Sequence, residues 1–369
     1  MDVMREANAR EVSGEDIIHM EVGQPATPAP RAARERARQA LVSDRLGYTD
    51  ALGLPALRER IARYISERYG VAVPPERVVV TAGSSAGFVL AFLAVLDPGA
   101  ALGLPSPGYP CYRQILKALG LRPRLIETLG QGRWMPTVAD VERLAAENVA
   151  GLLLASPNNP TGTMTLGLRL AEIAAACRLH RLWLISDEIY HGLEYDVSAE
   201  TALRHSDQAI VVNSFSKYFS MTGWRIGWLV VPDTLVRPIE RLAQNLYISP
   251  PTISQIAALG AFEGIEELEE IRGVYARSRA MLLEELARSG LSAILPADGA
   301  FYLYADVGRF TADSEAFAQT MLKEIGVAVT PGIDFDAERG RSYVRFCYAG
   351  AEALMREAAR RIGPWIRTR

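Results

Sequence analysis

Between residues 78 and 231 the chain alternates short runs of Val, Ile and Leu with stretches of helical length, and this alternation restricts the fold more than any other feature. Residues 78–81, 150–155, 182–186, 209–214 and 226–231 are the apolar runs. They read as strands buried on both faces, because a strand with one wet face would alternate polar and apolar residues. A helix ending near residue 96 and another over 166–180 lie between them, which predicts an α/β domain with a largely parallel sheet.

The pattern changes after about residue 250. Residues 252–289 form a long helical stretch with Gly260, Gly264 and Gly273 as possible breaks. Strands follow over 301–307 and 343–347, with helices over 314–325 and 352–362. A second, smaller α+β domain is expected, packed tightly on the first because no flexible linker separates them.

Bulk properties exclude several classes. A chain of 369 residues with 49% hydrophobic and 22% charged residues is ordinary for a globular protein. A net charge of -3 gives no footprint for nucleic acid or an anionic membrane. The longest apolar run, residues 87–96, spans about ten residues and is too short to cross a bilayer. Cys111, Cys177 and Cys347 form no CxxC pair. Neither a disulfide framework nor a metal site is expected, and a cytoplasmic location fits.

Four segments follow predicted strands, where open α/β sheets bind their ligands. In the first, residues 213–225, Lys217 stands among Phe215, Tyr218 and Phe219. Desolvation there would lower its pKa, as a Schiff-base lysine needs. Ser214 and Ser216 flank it as donors, and Arg225 could clamp a phosphate. A surface lysine on a loop is the plain alternative. In the second, Asp187 ends a strand and could pair with a pyridinium nitrogen, with Tyr190 three residues on; capping a helix is its ordinary role. In the third, residues 155–162, a turn could aim the Asn159 amide at a ligand oxygen. In the fourth, Gly83, Ser84 and Ser85 open a helix whose backbone N–H groups could cradle a phosphate. Elsewhere, Arg345 could receive a carboxylate, while Gly23, Tyr48 and Tyr109 are by default turn or half-buried residues.

Taken together, these residues resemble the class I/II aminotransferases of fold-type I, which include the aspartate aminotransferases. The resemblance runs from Gly23 to Arg345 with its motifs in family order. It implies a large domain over residues 38–270 with a mostly parallel seven-stranded sheet, and a small domain from 1–37 and 271–369. It implies pyridoxal 5'-phosphate as cofactor, linked to Lys217, with Asp187 at the ring nitrogen and Asn159 and Tyr190 at the phenolic oxygen. Gly83, Ser84, Ser85, Ser214, Ser216 and Arg225 would hold the phosphate, and Tyr109 would stack on the ring. Arg345 would take the substrate α-carboxylate, with Gly23 also at the substrate. A homodimer is implied, with Tyr48 reaching the neighbouring site. The implied reaction is ping-pong transamination between an L-amino acid and a 2-oxo acid through a Lys217 aldimine.

Two alternatives accompany this reading. C–S lyases and decarboxylases of the same fold would use the same cofactor motifs. A serine hydrolase is suggested by the GxSxG pattern at Ser85, but it would need a histidine late in the chain. The four histidines are His19, His180, His191 and His205, and none lies in the last 164 residues. An arginine for a distal substrate carboxylate is not identifiable; Arg272, Arg277 and Arg279 all lie in the long helix.

Overall fold

The computed structural model describes residues 2–43 and 45–369. Its centre is a seven-stranded sheet of β1 (Val78–Thr81), β2 (Ala101–Ser106), β3 (Arg122–Glu127), β4 (Gly151–Ala155), β5 (Trp183–Asp187), β6 (Ile210–Ser214) and β7 (Gly227–Val230). The spatial order is β1-β7-β6-β5-β4-β2-β3, and only β7 runs against the others. Both faces are covered, as the uninterrupted apolar runs require. Leu152, Leu154 and Val211 enter the core on one face, while Leu153, Ile185 and Val212 enter the other. Each of the latter three is fully buried, a gain of about 1.5–3 kcal/mol per side chain relative to exposure.

Five of the strands match the apolar runs to within about a residue at each end, the accuracy with which boundaries are defined at all. The other two, β2 and β3, are additions. β2 contains Gly103 and Pro105, and β3 is an edge strand in which only Ile126 is buried. Neither carries the signature of a buried strand.

The long helical stretch is two helices, Thr252–Ala261 and Ile265–Arg288. Of the three glycines, Gly264 stands at the break. A Cβ on Gly260 would meet the Ala32 carbonyl at 2.6 Å, so that glycine permits close packing against the helix Arg31–Ser43. Gly273 lies within an unbroken helix.

Strands β8 (Tyr302–Asp306), β9 (Thr330–Pro331) and β10 (Tyr343–Cys347) form a separate antiparallel sheet, in the order β9-β10-β8. An N-terminal helix, α1 (Asp2–Val12), leads to Ile18–His19, which pairs in parallel with Val327–Ala328. Both chain ends therefore meet on this side of the molecule. Two helices matter for the site: α2 (Gly83–Val95), following β1, and α3 (Pro110–Ala118), following β2. Among the described residues no helix is long and apolar enough to cross a membrane.

Candidate functional site

A cavity of about 430 Å³ opens at one edge of the seven-stranded sheet. Strands β1, β2, β4, β5 and β6 all end there, because they point the same way. β7 runs oppositely and so begins there, which brings Arg225, two residues before it, to the same edge. Gly23, Ser84, Ser85, Tyr109, Asn159, Asp187, Tyr190, Ser216, Lys217, Arg225 and Arg345 line this cavity.

Lys217 Nζ donates to the Gly23 carbonyl at 2.5 Å and lies 5.9 Å from the ring centroids of Tyr190 and Phe301. Burial pulls its pKa down to about 8; the nearby cations of Arg345 and Arg225 act in the same direction, against Cys347 and Asp187. A neutral amine is therefore available near physiological pH.

Asp187 is buried at the end of β5. Its Oδ1 accepts from the Ile189 N–H at 3.1 Å, a local turn contact, and its Oδ2 accepts a short hydrogen bond from the Tyr112 hydroxyl. Burial pushes its pKa up to about 6, opposed by these two donors and by Lys217. The carboxylate thus sits in an environment where a cationic partner would be strongly favoured.

Helix α2 begins without a side-chain cap and has no acidic residue in its first turn. Its first N–H groups, at the positive end of the helix, could therefore receive an anion. Gly83 has φ +79°, and a Cβ there would run into the Arg225 guanidinium, so the glycine lets that cation approach the helix end. Gly83 is not itself a lining residue. Ser214 is buried and does not line the cavity: its Oγ accepts from the Ser216 N–H at 2.9 Å.

Arg345, in β10, is buried and lies between the rings of Tyr302 at 4.3 Å and Phe335 at 4.8 Å. Nη1 donates to Asn159 Oδ1 at 2.8 Å, and Nη2 donates to the Glu21 carbonyl at 2.6 Å and to Thr330 Oγ1 at 3.1 Å. Its Nε is buried with no acceptor. A buried guanidinium with neutral partners only is a ready receptor for a carboxylate.

Tyr48 stands apart. It is 83% exposed and does not line the cavity of its own chain. Tyr109 is 38% exposed, and its ring packs edge-on against Tyr112 at 5.4 Å. Several contributors escaped the sequence reading. Tyr302, whose hydroxyl bonds Tyr190 at 2.8 Å, Thr330 and Phe335 come from the C-terminal part of the chain, where no local pattern marks them. Tyr112 lies in the first turn of α3, and its ring packs against that of Tyr109, the residue that precedes the helix.

The open arginines are placed elsewhere. Arg272 pairs with Glu269, Arg277 with Glu352 and Arg279 with Asp196, and none lines the cavity. Ser85 does line it, but no histidine does. His19 bonds Glu21, His191 bonds Tyr69, His205 faces Glu200 and His180 is exposed at a helix end. Ser85 therefore lacks the general base a hydrolase nucleophile needs.

Comparison with known proteins agrees with this geometry. The sequence profile described as aminotransferase class I and II matches residues 15–362. The chain is 47% identical to a valine–pyruvate aminotransferase of Mycobacterium tuberculosis, over 99% of this chain and 95% of that protein. A crystal structure of an aminotransferase from Mycobacterium tuberculosis superposes with a TM-score of 0.98 at 46% identity, covering 100% and 96% of the two chains. That of a putative aminotransferase from Silicibacter pomeroyi gives 0.94 at 50% identity, with the same coverage.

Proposed function

We propose that this chain, which belongs to the class I and II aminotransferases and has their fold-type I architecture, works by a ping-pong cycle with pyridoxal 5'-phosphate. One L-amino acid gives up its amino group and leaves as a 2-oxo acid; a second 2-oxo acid then takes the group. The observation that carries this reading is the convergence of a part-buried Lys217, a buried Asp187, an uncapped helix end beside Arg225, and Arg345 on one cavity.

The donor set fits the cofactor. The α2 N-terminus with Ser84, Ser85, Ser216 and Arg225 suits a phosphate dianion, and Asp187 suits a protonated ring nitrogen. Asn159 and Tyr190 would serve the phenolic oxygen, and the Tyr109 ring would stack on the cofactor. Gly83→Ala tests the phosphate cradle. It forces a left-handed φ on alanine, at roughly 1–2 kcal/mol, and pushes Arg225 away. Cofactor affinity should fall about tenfold or more, as read by equilibrium dialysis; unchanged retention would remove the cradle from the account.

When bound, pyridoxal phosphate supplies an electron sink that acidifies the substrate Cα–H bond. The protein's residues do the rest. Lys217 would hold the cofactor covalently and, once released, its Nζ takes the proton from the substrate Cα. Arg345 holds the substrate carboxylate and so fixes the Cα against rotation. Gly23 keeps room at the substrate position, because a Cβ there would strike the Tyr302 hydroxyl.

The large and small domains are assigned to 38–270 and to 1–37 with 271–369. The confinement of the main sheet to residues 78–230 supports this, as does the pairing of Ile18–His19 with Val327–Ala328. A homodimer is supported by the exposed apolar side chains Leu41, Val42, Leu246, Tyr247 and Ile248, near which Tyr48 would reach the neighbouring site. Three free thiols suit a cytoplasmic enzyme.

The similar valine–pyruvate aminotransferase suggests an apolar amino acid and pyruvate as substrates. Lys217, Arg225 and Arg345 are the only cationic side chains among the described residues lining the cavity, which leaves none from the same chain for a distal carboxylate. In a half-reaction screen of the cofactor-loaded protein, valine should bleach the cofactor's visible band and yield its 2-oxo acid, and pyruvate should restore the band. If no amino acid does so, or carbon dioxide or a thiol is released instead, transamination is the wrong reading.

A further inference from the structure

We propose that Tyr112 is the positioning residue for Asp187, its phenol holding the carboxylate ionised and in one orientation at the cavity wall; this rests on the cofactor role given to Asp187 above.

The carboxylate has two oxygens and two protein donors. The Ile189 N–H holds Oδ1 and the Tyr112 hydroxyl holds Oδ2, so rotation about the Cβ–Cγ bond would break both contacts. Tyr112 is itself fixed. Its ring is buried, and packs edge-on against Phe88 of α2 at 5.1 Å and against Tyr109 at 5.4 Å. One side chain therefore ties together the phosphate-side helix, the aromatic on the cavity wall and the carboxylate. Burial, and then the charge of Asp187, push the Tyr112 hydroxyl well above its ordinary pKa, so it stays a neutral donor throughout the working range.

A donor that never titrates gives Asp187 a constant partner. The other titratable groups facing Asp187 are Lys217 beyond β6, Glu188 next in the chain and Tyr109 before α3. Of these, only Lys217 favours the ionised carboxylate. Removing the phenol leaves desolvation opposed more weakly, so the carboxyl pKa rises. The ionised fraction falls most at the acid end of the range.

Tyr112→Phe keeps the ring packing and removes only the hydroxyl. The pH titration of the bound cofactor's absorbance, recorded without substrate, should shift its acid midpoint upward. The kcat should fall about tenfold to a hundredfold, the scale of one charge-assisted hydrogen bond, with the loss largest at low pH and KM nearly unchanged. Tyr112→Leu, which also removes the ring, serves as the packing control and should lower the melting temperature where Tyr112→Phe does not. An unchanged titration midpoint with kcat within about twofold of wild type would overturn the proposal, as would a melting loss in Tyr112→Phe equal to that of Tyr112→Leu without a spectral shift. Because the titration needs no substrate, its outcome is separate from whether amino acids react at all.

Discussion

Replacing Lys217 with alanine is expected to lower turnover by about 10⁴-fold or more, since it removes the covalent hold on the cofactor as well as a general base worth about 10²–10⁴ by itself. The visible band of the lysine-linked cofactor should vanish from the variant. A band at the wild-type wavelength, or activity within about a hundredfold of wild type, would refute the role. The environment adds a pH signature. Burial lowers the Lys217 pKa to about 8, so the amine loses its proton at a lower pH than an exposed lysine would. Covalent loading of the cofactor-free protein needs the neutral amine. Its rate should climb as pH rises through about 8 and level off above, and stopped-flow absorbance against pH checks this.

Asp187→Asn is the second large effect. Asparagine keeps the shape but cannot carry the negative charge that a cationic ring nitrogen would pair with. Removing one partner of a buried ion pair costs roughly 3–5 kcal/mol, equivalent to about a hundred- to several-thousand-fold in rate. The loss should appear mainly in kcat, with the cofactor still bound by its lysine link and phosphate cradle. Steady-state kinetics beside an absorbance spectrum separates the two. A variant within about tenfold of wild-type kcat would reduce Asp187 to the turn-forming role that its contact with Ile189 also gives it.

Much of this architecture is legible in the sequence. The strands ending in Thr81, Ala155, Asp187 and Ser214 are apolar on both faces until their last one or two residues, because helices cover both faces of the sheet. Where that physical condition fails, so does the pattern. β3 is exposed along one edge and spelled Arg-Pro-Arg-Leu-Ile-Glu, and only pairing with β2 makes it a strand. Nor does residue type distinguish the break at Gly264 from Gly260 and Gly273, which both lie within unbroken helices.

The site divides along the same line. Asp187 ends a strand, and Lys217 and Asn159 each follow one within a few residues, so local order places them at the sheet edge where ligands bind. Arg345 Nη1 reaches Asn159 across 186 residues of chain, and Tyr302 meets Tyr190 across 112. No local spacing encodes those encounters; they depend on how the antiparallel β8–β10 sheet docks against the large one.

The alternation first met between residues 78 and 231 thus determined a doubly covered sheet and the edge at which its chemistry gathers, because burial on both faces leaves its mark on every residue of a strand. Tertiary structure alone decided which distant side chains complete that edge. Arg345 is clasped between Tyr302 and Phe335, and Asp187 is held by Tyr112, since such contacts follow from packing between elements rather than from the period of any one of them.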